Sequence, residues 1–174
     1  MVSKPASLTT DHDLTVFDCG KEPLKSWLKK HALESQGGGH TKTMVITAND
    51  TMTVIGYFSY SVISVEHIDS TPERVKKGLA RHPIPVFLIA RLAMDVNYKG
   101  QGLGRRLLRY ALRASAAISA EVPIRAVVVD AIDEEAKGFY RQFDFEPYPA
   151  DGLRMWLMMK DLIKTLGVQK DMTP

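Results

Sequence analysis

The run "RLAMDVNYKGQGLGRRLLRYAL", residues Arg91 to Leu112, constrains this chain more than any other stretch. A strand-like apolar segment passes through three glycines, Gly100, Gly102 and Gly104, and enters a pattern with helical spacing. Glycines between a strand and a helix let the backbone approach a ligand closely, and a helix start adds N–H donors with partial positive charge. That combination suits a phosphate or pyrophosphate. Two common binders are excluded by spacing. The pattern G-x-x-x-x-G-K-[ST] fails because Gly104 is followed by Arg105 and Arg106. The dinucleotide pattern G-x-G-x-x-G fails because its third glycine falls on Arg105 or Leu107.

The rest of the chain surrounds this loop with alternating elements. A length of 174 residues with 45% hydrophobic content fits one compact domain over residues 1–174. "KEPLKSWLKKHALESQ" places Leu24, Trp27, Leu28, Ala32 and Leu33 at helical spacing and ends at Gly37, Gly38 and Gly39. "KTMVITAND" and "TVIGYFSYSVISVEH" alternate as antiparallel strands do, with a turn at "NDT". "STPERVKKGLA" reads as a short helix capped by Ser70 or Thr71. "VFLIARLAMDV" is a strand buried on both faces. Leu103 to Ser119 is a helix with Leu107, Leu108, Ala111, Leu112, Ala114 and Ile118 on its apolar face. "IRAVVVDA" is a buried strand, "DEEAKGFYRQF" a helix with an acidic first turn, and "LRMWLMMKDL" a final strand. The fold class is therefore α/β, a mixed sheet flanked by helices.

Composition narrows the chemistry. A net charge of +3 permits an anionic partner without demanding one. The single cysteine, Cys19, rules out an intramolecular disulfide, and with no histidine beside it in sequence it reads as a buried thiol. His12, His31, His40, His67 and His82 lack metal-ligand spacing, so no metal is assigned. No apolar run reaches membrane-spanning length, and the opening residues lack a signal core, so a soluble cytoplasmic protein is expected.

What remains is a loop of the form basic-x-x-G-x-G, "KGQGLG" from Lys99 to Gly104, after a strand ending "LAMDVNY". This resembles the acetyl-CoA loop, Q/R-x-x-G-x-G/A, of the GCN5-related N-acetyltransferase superfamily, with Lys99 in place of Gln or Arg. A second block, "DEEAKGFYRQFDFEPYP", is similar to the family's N-x-x-A-x-x-F-Y-x-x-x-G-F segment. Ala136, Phe139, Tyr140 and Phe145 match, while Asp133 replaces Asn and Asp144 replaces Gly. Aspartate tolerates the left-handed geometry that glycine supplies there. With "FDCGKEPLKSWLKKHA" and "VIGYFSYSV" added, the resemblance extends over nearly the whole chain to the acetyltransferase toxins of toxin–antitoxin pairs.

The resemblance implies a single acetyltransferase domain whose mostly antiparallel sheet holds a splayed parallel strand pair. It implies acetyl-CoA as cofactor, aminoacyl-tRNA as substrate, acetylation of the α-amine that stops translation, a ribbon-helix-helix antitoxin as partner, and a homodimer. Backbone groups of Leu92, Ala93 and Met94 would hold the pantetheine arm. Those of Lys99, Gly100, Gln101, Gly102, Leu103, Gly104 and Arg105 would hold the pyrophosphate, with Asp133 a further cofactor contact. Tyr140 would be the general acid, since a phenol titrating near pH 10 is protonated at neutral pH. No general base stands out. RNA phosphates call for cations, and the candidates are Arg74, Lys76, Lys77, Arg81, Arg91, Arg106, Arg109 and Arg113, together with Arg105. Arg105, Arg109 and Arg113 recur every four residues in a helix without an acidic residue from Leu103 to Ser119. Competing readings are an acetyltransferase for a small-molecule or protein amine, and a non-catalytic acyl-CoA-binding module.

Overall fold

The computed structural model describes residues 1–48, 51–66, 71–149 and 151–167. Asn49 and Asp50 of the expected turn, the candidate cap Ser70, and His67 lie outside them. In chain order the elements are β1 (Ala6–Ser7), α1 (Glu22–Lys30), α2 (Ala32–Gly37), β2 (Lys42–Thr47), β3 (Val54–Val65), α3 (Glu73–Lys76), β4 (Ile84–Met94), a 3-10 turn (Val96–Tyr98), α4 (Leu103–Glu121), β5 (Ala126–Asp130), α5 (Glu134–Arg141), β6 (Glu146–Tyr148), β7 (Asp151–Met158) and α6 (Met159–Leu166). The strands form a seven-stranded mixed sheet in the order β1-β2-β3-β4-β5-β7-β6, with one parallel pair. The chain divides into two compact units, Met1–Ser61 with Ile89–Ala111, and Val62–Leu88 with Leu112–Pro174.

In the first unit, β1, β2 and β3 pair antiparallel, with Ala6 opposite Val45 and Val45 opposite Tyr57. Period-two alternation puts Val45 and Tyr57 on one face, where they join Leu8, Phe17, Leu28, Ala32, Val54 and Ala93 in a core. Tyr57 anchors this core. Its ring meets Phe17 edge-on at 5.8 Å and stacks on Trp27 at 6.1 Å, and its hydroxyl donates to the Leu24 carbonyl at 2.8 Å. The one helix expected from "KEPLKSWLKKHALESQ" is two, because His31 leaves helical geometry at φ −126° and ψ −20°. The step keeps Leu28 and Ala32 buried but turns Leu33 out to 38% exposure.

Gly56, in the middle of β3, is required by packing. A Cβ there would stand 2.5 Å from Met94 Sδ and 3.1 Å from Ile46 Cγ1. The absent side chain is the space that the last residue of β4 fills.

In the second unit, β5 is apolar at four successive positions and all four are buried, as a strand covered on both faces requires. It pairs antiparallel with β7 from Ala126 opposite Met158 to Asp130 opposite Arg154. Val75, Ile84, Val86, Ala126, Val128, Trp156 and Met158 form the core of this unit.

Two expectations are corrected here. The final strand does not extend through "LRMWLMMKDL". It ends at Met158, and Met159 opens α6 with its N–H donating to the Arg125 carbonyl at 3.1 Å. Met155 to Met159 are all buried, so hydrophobicity carries no change of period at the switch. Thr71 does not cap α3. Pro72 occupies that position, while the Thr71 hydroxyl donates to the Glu66 carbonyl. The other end of α3 is held instead by Arg125, which donates to the carbonyls of Val75 and Lys77, both at 2.9 Å.

Two substitutions of opposite sign test this packing. Gly56→Val forces side-chain atoms into space that Met94 and Ile46 occupy and should lower stability by about 1–3 kcal/mol. Gly138 lies within α5, where a Cβ meets nothing within 4 Å. Gly138→Ala should therefore raise stability by about 0.5–1 kcal/mol, with both changes read from chemical denaturation midpoints.

Candidate functional site

The glycine loop begins where β4 ends. Ala93 and Met94 are buried and Leu92 is half-buried. The buried side chain of Asp95 accepts from the Asn97 N–H at 2.9 Å, which starts the 3-10 turn over Val96–Tyr98. Gly100 and Gly102 follow with φ of +75° and +74°, a left-handed geometry that disfavours side chains. Nothing stands within 4 Å of where a Cβ would be at either position, so the concave side of the loop is open. The first bond of α4 runs from the Arg106 N–H to the Gly102 carbonyl at 3.1 Å. The N–H groups of Leu103 and Gly104 therefore have no carbonyl within their own helix and carry its positive dipole end. This open cradle of backbone donors fits a pyrophosphate.

Two side chains of the loop are turned to other uses. The Lys99 ammonium donates to the Cys19 carbonyl at 2.8 Å, and Gln101 Nε2 donates to the Asn97 carbonyl at 3.3 Å. The Lys99 N–H also donates, to the Val96 carbonyl at 3.5 Å, whereas Gln101 can still offer a ligand its backbone.

Tyr140 lies on α5 in the second unit, 4% exposed, with Phe139 edge-on at 5.4 Å and Phe145 tilted at 5.7 Å. Burial, with a further contribution from the Asp130 carboxylate, pushes its hydroxyl far above the ordinary tyrosine value. A phenol so placed holds its proton through the neutral range. Asp130 is fixed by Arg154 across the β5–β7 pair through two bonds of 2.7 and 3.1 Å. Asp133 caps α5, its Oδ1 accepting from the Ala136 N–H at 2.9 Å, so that oxygen already serves the helix. Asp144 adopts φ +66°, the left-handed turn that the family's glycine occupies.

The candidate RNA-binding cations separate into two groups. Arg74 pairs with Asp161 at 2.7 Å and Glu146 at 3.8 Å, and Lys76 pairs with Glu73 at 3.5 Å. The Arg91 guanidinium lies 4.1 Å from the Trp27 ring centroid. Lys77, Arg81, Arg105, Arg106, Arg109 and Arg113 are exposed, the last four on α4.

Sequence reasoning missed Asp95, Arg125 and Asp130. Only Asp95 carried a local signal, an Asp two residues before an Asn in a turn. Cys19 is buried, its thiol donating to the Lys21 carbonyl at 3.4 Å. Among the described residues no cluster of His, Cys, Asp or Glu is arranged to hold a metal, and no helix is long and apolar enough to cross a membrane.

Residues 41–147 match the family model described as an acetyltransferase (GNAT) domain. The tRNA-acetylating toxin of Mycobacterium tuberculosis is 36% identical over 165 residues, which is 95% of this chain and 97% of that protein. Among solved structures, AtaT complexed with acetyl-methionyl-tRNAfMet is similar at a TM-score of 0.85 and 25% identity, covering 97% of this chain and 100% of the other. AtaTR bound with acetyl-CoA is similar at a TM-score of 0.84 and 25% identity, covering 95% and 98%.

The Tyr140 environment predicts an alkaline stability loss. Folded Tyr140 keeps its proton where an unfolded tyrosine loses it, so above about pH 10 the unfolded state binds fewer protons. The Tyr140 share of stability, intact below that value, declines as pH rises beyond it. Melting curves in alkaline buffers should fall less steeply with pH for Tyr140→Phe than for the native chain.

Proposed function

The chain belongs to the GCN5-related N-acetyltransferase family, and from that premise we propose that it transfers acetyl from acetyl-CoA to the α-amine of aminoacyl-tRNA and so blocks translation. The observation that carries the chemistry is Tyr140, buried on α5 in the A-x-x-F-Y segment. Support for the substrate comes from the relative named as a tRNA-acetylating toxin and from exposed Arg105, Arg106, Arg109 and Arg113 on a helix without acids before Glu121. In this reading residues 1–174 work as one acetyltransferase domain in the cytoplasm, as a homodimer, and a ribbon-helix-helix antitoxin neutralises it.

Bound acetyl-CoA supplies an activated acetyl thioester. The chain's own groups do the rest. Backbone N–H groups from Gly100 to Arg105 would take the pyrophosphate, and those of Leu92, Ala93 and Met94 would hold the pantetheine arm and orient the thioester carbonyl. The α-amine of an aminoacyl ester is a weaker base than a lysine, so much of it is neutral near pH 7 and attacks without a dedicated protein base. As the new C–N bond formed and the C–S bond broke, the Tyr140 hydroxyl would give its proton to the departing sulfur and be reprotonated, through water, by the amine's surplus proton. Exposed cations on α4, with Lys77 and Arg81, meet RNA phosphates.

Incubation with radiolabelled acetyl-CoA and a pool of charged tRNAs should place label on aminoacyl-tRNA. Tyr140→Phe should cut the rate by about 100-fold or more, the scale of a lost general acid, while acetyl-CoA still binds. Acetyl-CoA binding without label on any tRNA would refute the substrate. In the same assay, Arg109→Glu with Arg113→Glu should raise KM for aminoacyl-tRNA about tenfold and flatten its salt dependence.

A further inference from the structure

The cofactor loop is tied to a distant part of the sequence by one buried carboxylate. Asp95, 4% exposed, accepts through Oδ2 from the Asp18 N–H at 2.9 Å. Its Oδ1 accepts from the Asn97 N–H at 2.9 Å and from Asn97 Nδ2 at 3.0 Å. The backbone completes the fixture. The Asp95 N–H donates to the Ile55 carbonyl and the Val96 N–H to the Asp18 carbonyl, both at 2.8 Å. Asp18 and the Asp95–Val96 pair thus bind each other reciprocally, one N–H in each direction.

Two further contacts join the same segments. Lys99 Nζ donates to the Cys19 carbonyl at 2.8 Å. Gly20, at φ +73°, lies so close beneath the loop that a Cβ would stand 3.3 Å from Val96 Cγ1 and 3.8 Å from Lys99 Nζ. Residues 18–20 lead directly into α1, whose N-cap is Lys21. The loop therefore rests on the segment preceding α1 and holds its shape through that support.

We infer that Asp95 is a positioning residue for the pyrophosphate cradle, that residues 18–20 are the platform it fixes, and that Lys99 serves this platform rather than a ligand phosphate. The inference rests on the reading of residues 100–105 as the cradle. Only a carboxylate suits Asp95. Three N–H donors converge on its two oxygens, and an asparagine would turn an NH2 group toward one of them. Conformational precision is the gain. Backbone donors act on an anion in proportion to how well they are held in place before it arrives.

The inference has a sign that separates it from simple charge effects. A negative group near a pyrophosphate repels it, so Asp95→Asn, which removes that charge, would tighten acetyl-CoA binding if Coulomb interaction alone mattered. Loss of positioning weakens it. The measurement is calorimetric affinity for acetyl-CoA and for S-acetylpantetheine, which lacks the pyrophosphate and the nucleotide, using the full chain with a melting curve for each variant. Asp95→Asn should weaken acetyl-CoA binding by about tenfold, the scale of a lost charged hydrogen bond, with S-acetylpantetheine affinity within about twofold of native. Equal or tighter binding of acetyl-CoA, or an equal loss for both ligands, overturns the inference.

Should Asp95→Asn not fold, Lys99→Met decides. That side chain is exposed, its loop N–H groups are untouched, and about a threefold selective loss of acetyl-CoA affinity is expected. No loss overturns the inference. A native chain that binds no acetyl-CoA refutes the cradle itself, whereas native binding unaltered in Asp95→Asn refutes only the positioning role.

Discussion

A chain that leaves a buried strand and enters a long helix within a few residues must reverse its hydrogen-bonding pattern over a segment that can satisfy few of its own N–H groups. Here the segment runs from Asp95 to Leu103, and it uses a carboxylate-capped 3-10 turn followed by two left-handed glycines. The unsatisfied donors are thereby gathered on one open concave surface, at the positive end of α4. In the proposed function this surface is the cradle for a doubly charged pyrophosphate. At the end of β4, just before this segment, the Met94 side chain packs against the bare backbone of Gly56.

The proton that the proposed reaction requires for a leaving thiolate would come from different physics. Removal of Tyr140 from water, with a carboxylate added at Asp130, makes the charged form costly and keeps the hydroxyl protonated. The two requirements are thus served by opposite devices, exposure of backbone N–H groups in the loop and burial of a hydroxyl on α5. Each is local to its own unit.

The motifs of the loop and of the "A-x-x-F-Y" segment were legible because their residue types have few other uses at those spacings. Gly100 and Gly102 require φ above zero, and both have it; Asp144 takes the left-handed turn that its glycine-replacing position demands. The mixed α/β class was legible from alternation and helical spacing. Boundaries were less so wherever burial is uniform. Met155 to Met159 show no period, so the passage from β7 to α6 is invisible in hydrophobicity and is set by a backbone bond to Arg125.

By itself the sequence determined the mixed α/β class, the glycine loop and the acid-free stripe of arginines on α4. These are properties of residue type and spacing along one stretch, which local backbone sterics and side-chain chemistry express wherever the stretch is placed. Tertiary structure alone decided which charges are committed. Arg74 is taken by Asp161 and Glu146, Arg91 by Trp27, and Lys99 by the Cys19 carbonyl, all partners distant in sequence. It also decided that Asp95 would bind Asp18, 77 residues away. A carboxylate's partners are whatever donors the folded chain brings within about 3 Å, and sequence distance carries no information about that.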